Sequence, residues 1–132
     1  MDERTKQLKG SPSRDAFKLW HKTLDSSFYA CDLDFVLVVH RPIARICAII
    51  DYKRSGDTVS WAEILAYNNL TDAGWPVYLV NTEPSEPPYL TFSVRQYISG
   101  DWRCKPPKVE TQLWISNEPI TNYEKWERSL RK

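Results

Sequence analysis

Two apolar runs, Phe35–Val39 and Ile46–Ile50, are separated only by the short segment HRPIAR, and this pairing most constrains the fold. Pro42 supplies a fixed φ for a turn, and so short a link predicts an antiparallel hairpin. Centring that turn between Pro42 and Ile43 sets Asp34 directly across from Asp51. Because strand side chains alternate, Asp32, Asp34, Asp51 and Lys53 then share one face at one end of the hairpin. A slip of one residue would destroy this arrangement, whereas a slip of two would preserve the face. Below the charges, both faces of the second strand, Ala44–Lys53, are mostly apolar, as in a central strand covered by helices on both sides.

The rest of the chain supplies those helices. Ser13 reads as an N-cap, and Phe17, Trp20, His21 and Leu24 form the apolar stripe of a helix over 14–25. Residues 1–12 read as a flexible polar arm ahead of a single domain spanning 13–132. FYACDLDFVLVV, from Phe28 to Val39, is β-like in composition. Ser60 and Glu63 form a capping box that opens a second helix, with Trp61, Ile64, Leu65 and Leu70 on its apolar side and Gly74 as its C-terminal cap. VYLV at 77–80 reads as a buried strand, and Leu90–Ile98 as an alternating one. TQLWIS adds a further strand. Thr121 and Glu124 predict a second capping box, opening a terminal helix lined by Tyr123, Trp126 and Leu130.

Composition narrows the class. The chain has 132 residues, 42% hydrophobic and 13% aromatic, with six Trp, enough for a core of its own. The apolar runs fall far short of the roughly 20 residues a membrane helix needs. MDERTKQLKG shows no apolar leader region. Cys31, Cys47 and Cys104 are widely spaced with no C-x-x-C pair, which supports neither zinc nor a disulfide framework and suits a reducing, cytoplasmic setting. A formal net charge of +1 carries no bulk signature of nucleic-acid binding, although it leaves room for a local basic patch.

The charged end of the hairpin is where chemistry is expected. Carboxylates a few ångströms apart repel one another and resist desolvation, and a hard divalent cation, Mg²⁺ or Mn²⁺, relieves both. A lysine two residues from a ligating acid can hold water or stabilise developing phosphate charge. The plainer alternative for Asp51 and Lys53 is an ordinary ion pair at a strand end, worth about 0–1 kcal/mol. For Glu63 the plain reading is a helix cap, and for Tyr67, one turn further on, it is packing. His21 and His40 have no partner at ligand spacing.

CDLDFVLVV, then ICAIIDYKR, then SWAEILAYNNLTDAGWPVYLV together resemble the PD-(D/E)XK nuclease superfamily. The likeness spans about residues 13–82: helix, acid-bearing strand, core strand ending in Asp51-Tyr52-Lys53, capped helix, buried strand. It implies an α/β (mixed α+β) restriction-endonuclease-like fold, a central mixed sheet flanked by helices with a strand and a helix added at the C-terminus. It also implies a metal-dependent DNA endo- or exonuclease, structure-selective or non-specific and nucleoid-associated. Asp34, Asp51 and Lys53 would be catalytic. Asp34 and Asp51 would hold the metal, with Asp32 a rival first ligand and the Ile50 or Tyr52 carbonyl assisting; Asp15 or Asp25 is an accessory candidate. Arg54, Tyr67, Arg103 and Lys105 would contact DNA, with Lys108 and Trp102 near them. The superfamily has three strands before the second helix, where this chain shows two, with Phe28–Cys31 a candidate for the third. The alternative is an inactive module of this fold that binds a protein partner, such as a phage or mobile-element accessory factor. A homodimer is compatible with either.

Overall fold

A computed structural model describes residues 12–23, 33–54 and 56–131. The chain divides into two units, Met1–Ala30 and Cys31–Lys132. The first contains helix α1, Pro12–His21. Pro12 opens this helix in place of the expected Ser13 cap, because its ring already holds a helical φ and the first turn needs no N–H from it. The helix also ends before the expected position, where the N–H and hydroxyl of Thr23 both donate to the Trp20 carbonyl. Phe17 packs against Trp20 and His21 along one side, with ring centroids 5.5 and 6.4 Å apart.

The second unit is a five-stranded mixed sheet in the order β1-β2-β3-β4-β5. Its strands are β1 (Phe35–Val39), β2 (Arg45–Tyr52), β3 (Val77–Glu83), β4 (Thr91–Asp101) and β5 (Lys108–Pro119). Helix α2 (Trp61–Asp72) links β2 to β3, which run parallel; every other neighbouring pair is antiparallel. Helix α3 (Tyr123–Ser129) follows β5 after a 3-10 turn, Ile120–Asn122. A mixed α/β architecture is therefore present, with β4 and β5 longer than the sequence pattern suggested.

The hairpin register is the expected one where it matters. Phe35 lies opposite Ile50 and Val36 opposite Ile49, so Asp34 stands across from Asp51. Further toward the turn the ladder shifts between Leu37 and Val38, and Cys47 falls at the irregularity, its Sγ 3.4 Å from the Leu37 carbonyl. The bulge thus lies beyond the acidic end and leaves its register unaltered.

Two apolar clusters pack on opposite faces of β2 and β3. One comprises Ala48, Ile50, Tyr78, Val80, Phe92 and Val94, covered by Ile120, Tyr123, Trp126 and Leu130 from the C-terminal segment. Trp126 meets Tyr78 edge-on at 5.5 Å, and Tyr123 meets Phe92 likewise at 5.2 Å. The other comprises Ile49, Val77 and Tyr97 with Tyr67 of α2, joined by Leu33, Val59 and Leu70. Each fully buried Ile, Val or Phe side chain contributes roughly 1.5–3 kcal/mol. Tyr97 is buried because α2 covers its face of β4, where its ring meets Tyr67, whereas Ile98 is exposed.

The helix starts differ from one another. At α2 the capping box is complete: Ser60 Oγ accepts from the Glu63 N–H at 3.2 Å, and Glu63 Oε1 accepts from the Ser60 N–H at 3.0 Å. Gly74 takes φ 94° just past the helix, where a residue with a Cβ would be strained. At α3 the expected Thr121–Glu124 box does not form. Thr121 lies inside the 3-10 turn, Asn122 is the cap but its side chain donates to Glu118 at 3.2 Å and not to the helix, and Glu124 instead pairs with Arg128 at 2.7 Å.

Candidate active site

Asp51 lies near the end of β2, on the face covered by α2, and is 2% exposed. Both of its oxygens are used. Oδ1 accepts from the Asp34 N–H at 2.7 Å, and Oδ2 accepts from the Tyr67 hydroxyl. Asp34 reciprocates across the hairpin, its Oδ2 accepting from the Tyr52 N–H at 2.7 Å. The two acids therefore clasp each other's strands through backbone amides, extending the β1–β2 pairing past the last ladder residue.

Asp34 can do this because the strand is broken there. Leu33 packs with the cluster under α2, while Phe35 packs with the cluster on the opposite face. Residues two apart in a regular strand would share a face, so the bend at Asp34 reverses the alternation.

The other three members come from α2, which supplies Glu63 and Tyr67, and from the residue after β2, Lys53. Lys53 leaves the sheet with its N–H on the Val80 carbonyl at 2.8 Å, and its Nζ forms an ion pair with Glu63 Oε2. Their side chains are only 20% and 15% exposed. The Tyr67 hydroxyl lies 3.1 Å from the same Glu63 oxygen. A phenol has one proton to give; with Asp51 taking it, Glu63 Oε2 receives its protons from Lys53.

Burial dominates the electrostatics. It pushes the Asp51 carboxyl above its ordinary range, against the hydrogen bonds from Tyr67 and the Asp34 N–H; the Asp34 charge adds to the rise and Lys53 opposes it. Glu63 goes the other way: burial raises it, but the bonds from Lys53 and the Ser60 N–H together outweigh burial and hold it low. Tyr67 is pushed far up by burial and by the adjoining Asp51 carboxylate, so it stays a neutral donor.

Several expected residues stand elsewhere. Tyr67, expected to touch substrate, is 0% exposed and serves as a donor inside the cluster. Arg54 turns toward Asp57, its N–H 2.9 Å and its Nε 3.8 Å from Oδ2. Arg103 is tied to Asp101 at the β4–β5 turn at 3.1 Å, and exposed Lys105 belongs to the same turn. Among the described residues, none of these three cations is bonded to the cluster. Asp15 belongs to α1, in the other unit. His40 is exposed in the β1–β2 turn, and the Tyr52 hydroxyl lies 2.9 Å from Thr82 Oγ1. Of the arm expected at 1–12, Pro12 belongs to α1, and residues 1–11, with Leu24, Asp25, Phe28–Cys31 and Asp32, lie outside the described residues.

Glu63 is the member that sequence reasoning placed only as a cap. The clue was its spacing: Glu63 and Tyr67 are four residues apart, on one face of a helix that closely follows Asp51-Tyr52-Lys53. The hydrophobic pattern hid it, since the side of α2 that packs on the sheet carries Glu63, Tyr67 and Asn68 among its apolar residues. Asn68 itself donates to the Gly100 carbonyl at 3.0 Å and accepts from the Tyr97 hydroxyl at 2.6 Å.

The donor set suits a hard cation. Three carboxylates (Asp34, Asp51, Glu63) against one ammonium leave a surplus of negative charge beside a low-dielectric core. All the donors are oxygens, and Asp34 Oδ1 has no hydrogen-bond donor among the described residues. No group of three His, Cys, Asp or Glu side chains there could hold a metal by itself, so an ion would keep much of its shell as water, as Mg²⁺ does. No family model, curated protein or solved structure matches the chain. Among the described residues, no helix is long and apolar enough to cross a membrane.

Proposed function

We propose that the protein is a metal-dependent DNA phosphodiesterase with a restriction-endonuclease-like core, cleaving by DNA structure or without specificity. The observation that carries this reading is the buried Asp51 carboxylate beside Asp34, with Lys53 next to it at the end of a central strand. The order of elements supports it as well: an antiparallel hairpin bearing the acids, then α2, then a strand parallel to β2.

Asp34 and Asp51 would hold Mg²⁺ or Mn²⁺, with the Tyr52 carbonyl as a further donor. Bound there, the ion would supply Lewis-acid stabilisation for charge building on a phosphoryl group. Lys53, with N–H groups to spare beyond Glu63, would hold a water or a phosphoryl oxygen. Tyr67 keeps Asp51 oriented, and Arg54, Arg103 and Lys105 provide cations for phosphates farther along the strand. Action on DNA would place the protein in the cell interior, at the nucleoid.

One observation favours a second reading, a non-catalytic binding module of the same fold. Both Asp51 oxygens already have protein donors, and a carboxylate so satisfied can serve structure alone. The two readings separate when linear, single-stranded and branched DNA are incubated with the protein in Mg²⁺, Mn²⁺ or EDTA. Cleavage that needs the metal and is lost in Asp51→Asn and Lys53→Ala is expected. Cleavage that survives both substitutions removes the site assignment, and no cleavage by the folded protein favours the module.

A further inference from the structure

We infer that Glu63 is a positioning residue for Lys53, coupling the N-cap of α2 to the ammonium beside Asp51. The inference rests on the hydrolase reading for its catalytic consequence, but the positioning itself stands on geometry. Glu63 divides its carboxylate: Oε1 is fixed by the Ser60 N–H at 3.0 Å, while Oε2 takes Lys53 Nζ and lies 3.1 Å from the Tyr67 hydroxyl. A helix cap needs only the first oxygen. The second one faces a lysine from another element, in a space that leaves both side chains mostly buried.

Lysine carries a flexible four-carbon stem, and its ammonium wanders unless something holds it. Lys53 emerges where β2 has ended, so the sheet fixes its backbone but not its Nζ. Glu63 is the group that fixes the Nζ. Its own position is determined twice over, by the helix it caps and by its Ser60 bond. Tyr67, bonded to Asp51, completes the connection, so the ammonium is held at a set place relative to the Asp51 carboxylate. The ammonium retains N–H groups for a water or an anionic oxygen, which a fully enclosed ion pair would not leave.

The test reads Lys53 directly, without depending on cleavage. The full-length protein is treated with a small amine-acetylating reagent in its folded state, and the acetylation rate at Lys53 is followed by peptide mass spectrometry. Glu63→Ala should raise that rate about three- to tenfold, the effect of losing a partly buried ion pair. Glu63→Gln, which keeps an acceptor oxygen, should fall between. Ser60→Ala removes the hydroxyl of the cap while leaving the Glu63 carboxylate bonded to the backbone N–H at position 60, and should stay within about twofold of the parent. An unchanged Lys53 rate in Glu63→Ala overturns the positioning role and leaves Glu63 a cap alone.

Kinetics with the DNA substrates provide the second readout. A misplaced group costs on the order of 100-fold in rate, so kcat should fall by about that factor in Glu63→Ala with KM little changed. Glu63→Gln should recover part of it. Should the parent protein cleave nothing, the hydrolase reading fails while the acetylation rates still decide the positioning. Should the parent cleave and Glu63→Ala retain its kcat, the coupling of Glu63 to catalysis is overturned with the hydrolase reading intact.

Discussion

The two faces of the sheet are built on different principles. Under α3, the side chains of Ala48, Ile50, Val80, Phe92 and Val94 meet aromatic rings in an apolar cluster. Under α2, an apolar floor of Ile49 and Val77 carries two sets of directed bonds, Asp34–Asp51–Tyr67 and Lys53–Glu63, which meet where the Tyr67 hydroxyl lies 3.1 Å from Glu63 Oε2, with Asn68 and Tyr97 adjoining. The first face tolerates any well-packed hydrophobes of similar volume. The second requires particular atoms, and removing one leaves another buried and unpaired. Replacing such a network by hydrophobes often stabilises a protein, so an interior of this kind points to a use other than stability.

That contrast is tested first where the effect is largest. Phe92→Ala opens a cavity between the sheet and α3 and should lower stability by about 3–5 kcal/mol in urea unfolding, with the chemistry of the α2 face unchanged. Tyr67→Phe removes one oxygen and leaves Asp51 Oδ2 buried without a donor. A loss of about 1–3 kcal/mol is expected, out of proportion to the single atom removed. A change below about 0.5 kcal/mol at Tyr67 would mean that the two faces do not differ in this way.

Acid titration separates the members of the network. Asp51 is raised above its ordinary value of 3.8, so the folded state binds a proton more tightly than the unfolded one, and stability contributed there falls as pH rises from about 3.8 through the raised value. Glu63 is lowered below 4.5, so its contribution is present above that pH and is lost as pH falls through its folded value. Asp51→Asn should therefore flatten the decline on the higher-pH side, and Glu63→Gln the decline on the acid side. Urea midpoints collected from about pH 3 to about pH 7 read both slopes.

How far the sequence carried this arrangement depends on which force sets each part. The hairpin register followed from two apolar runs and a turn proline, because burying both faces of β2 permits few pairings; the ladder indeed sets Asp34 across from Asp51. The Ser60–Glu63 cap was equally legible, being a contact within one helical turn. Tyr67 and the second oxygen of Glu63 were not. Their positions depend on how α2 lies across β2, and tertiary packing of that kind leaves little trace in local spacing. Asp34 shows a subtler failure: alternation predicted a regular strand through Leu33, whereas a bend lets its carboxylate bond the Tyr52 amide. Nothing in the periodicity of CDLDFVLVV announces that bend.

The smallest predicted effects come from comparing two helix starts with the same sequence signature. Ser60-x-x-Glu63 and Thr121-x-x-Glu124 both match the capping pattern, yet only the first forms. The second fails because Ile120–Asn122 is wound as a 3-10 turn that carries the chain from β5 into α3, which leaves Thr121 inside the turn instead of ahead of a helix. Its Glu124 then pairs with Arg128 on an exposed surface, where such a bond is worth about 0.3–0.5 kcal/mol. Ser60→Ala should accordingly cost about 1 kcal/mol, the usual loss at a true cap, whereas Thr121→Ala should stay within about 0.5 kcal/mol. Losses of about 1 kcal/mol at both sites in urea unfolding would mean that α3 is capped after all. A loss at Ser60 as small as that expected at Thr121 would mean that the Ser60 hydroxyl adds nothing to the start of α2 beyond what the Glu63 carboxylate already supplies through the position-60 N–H.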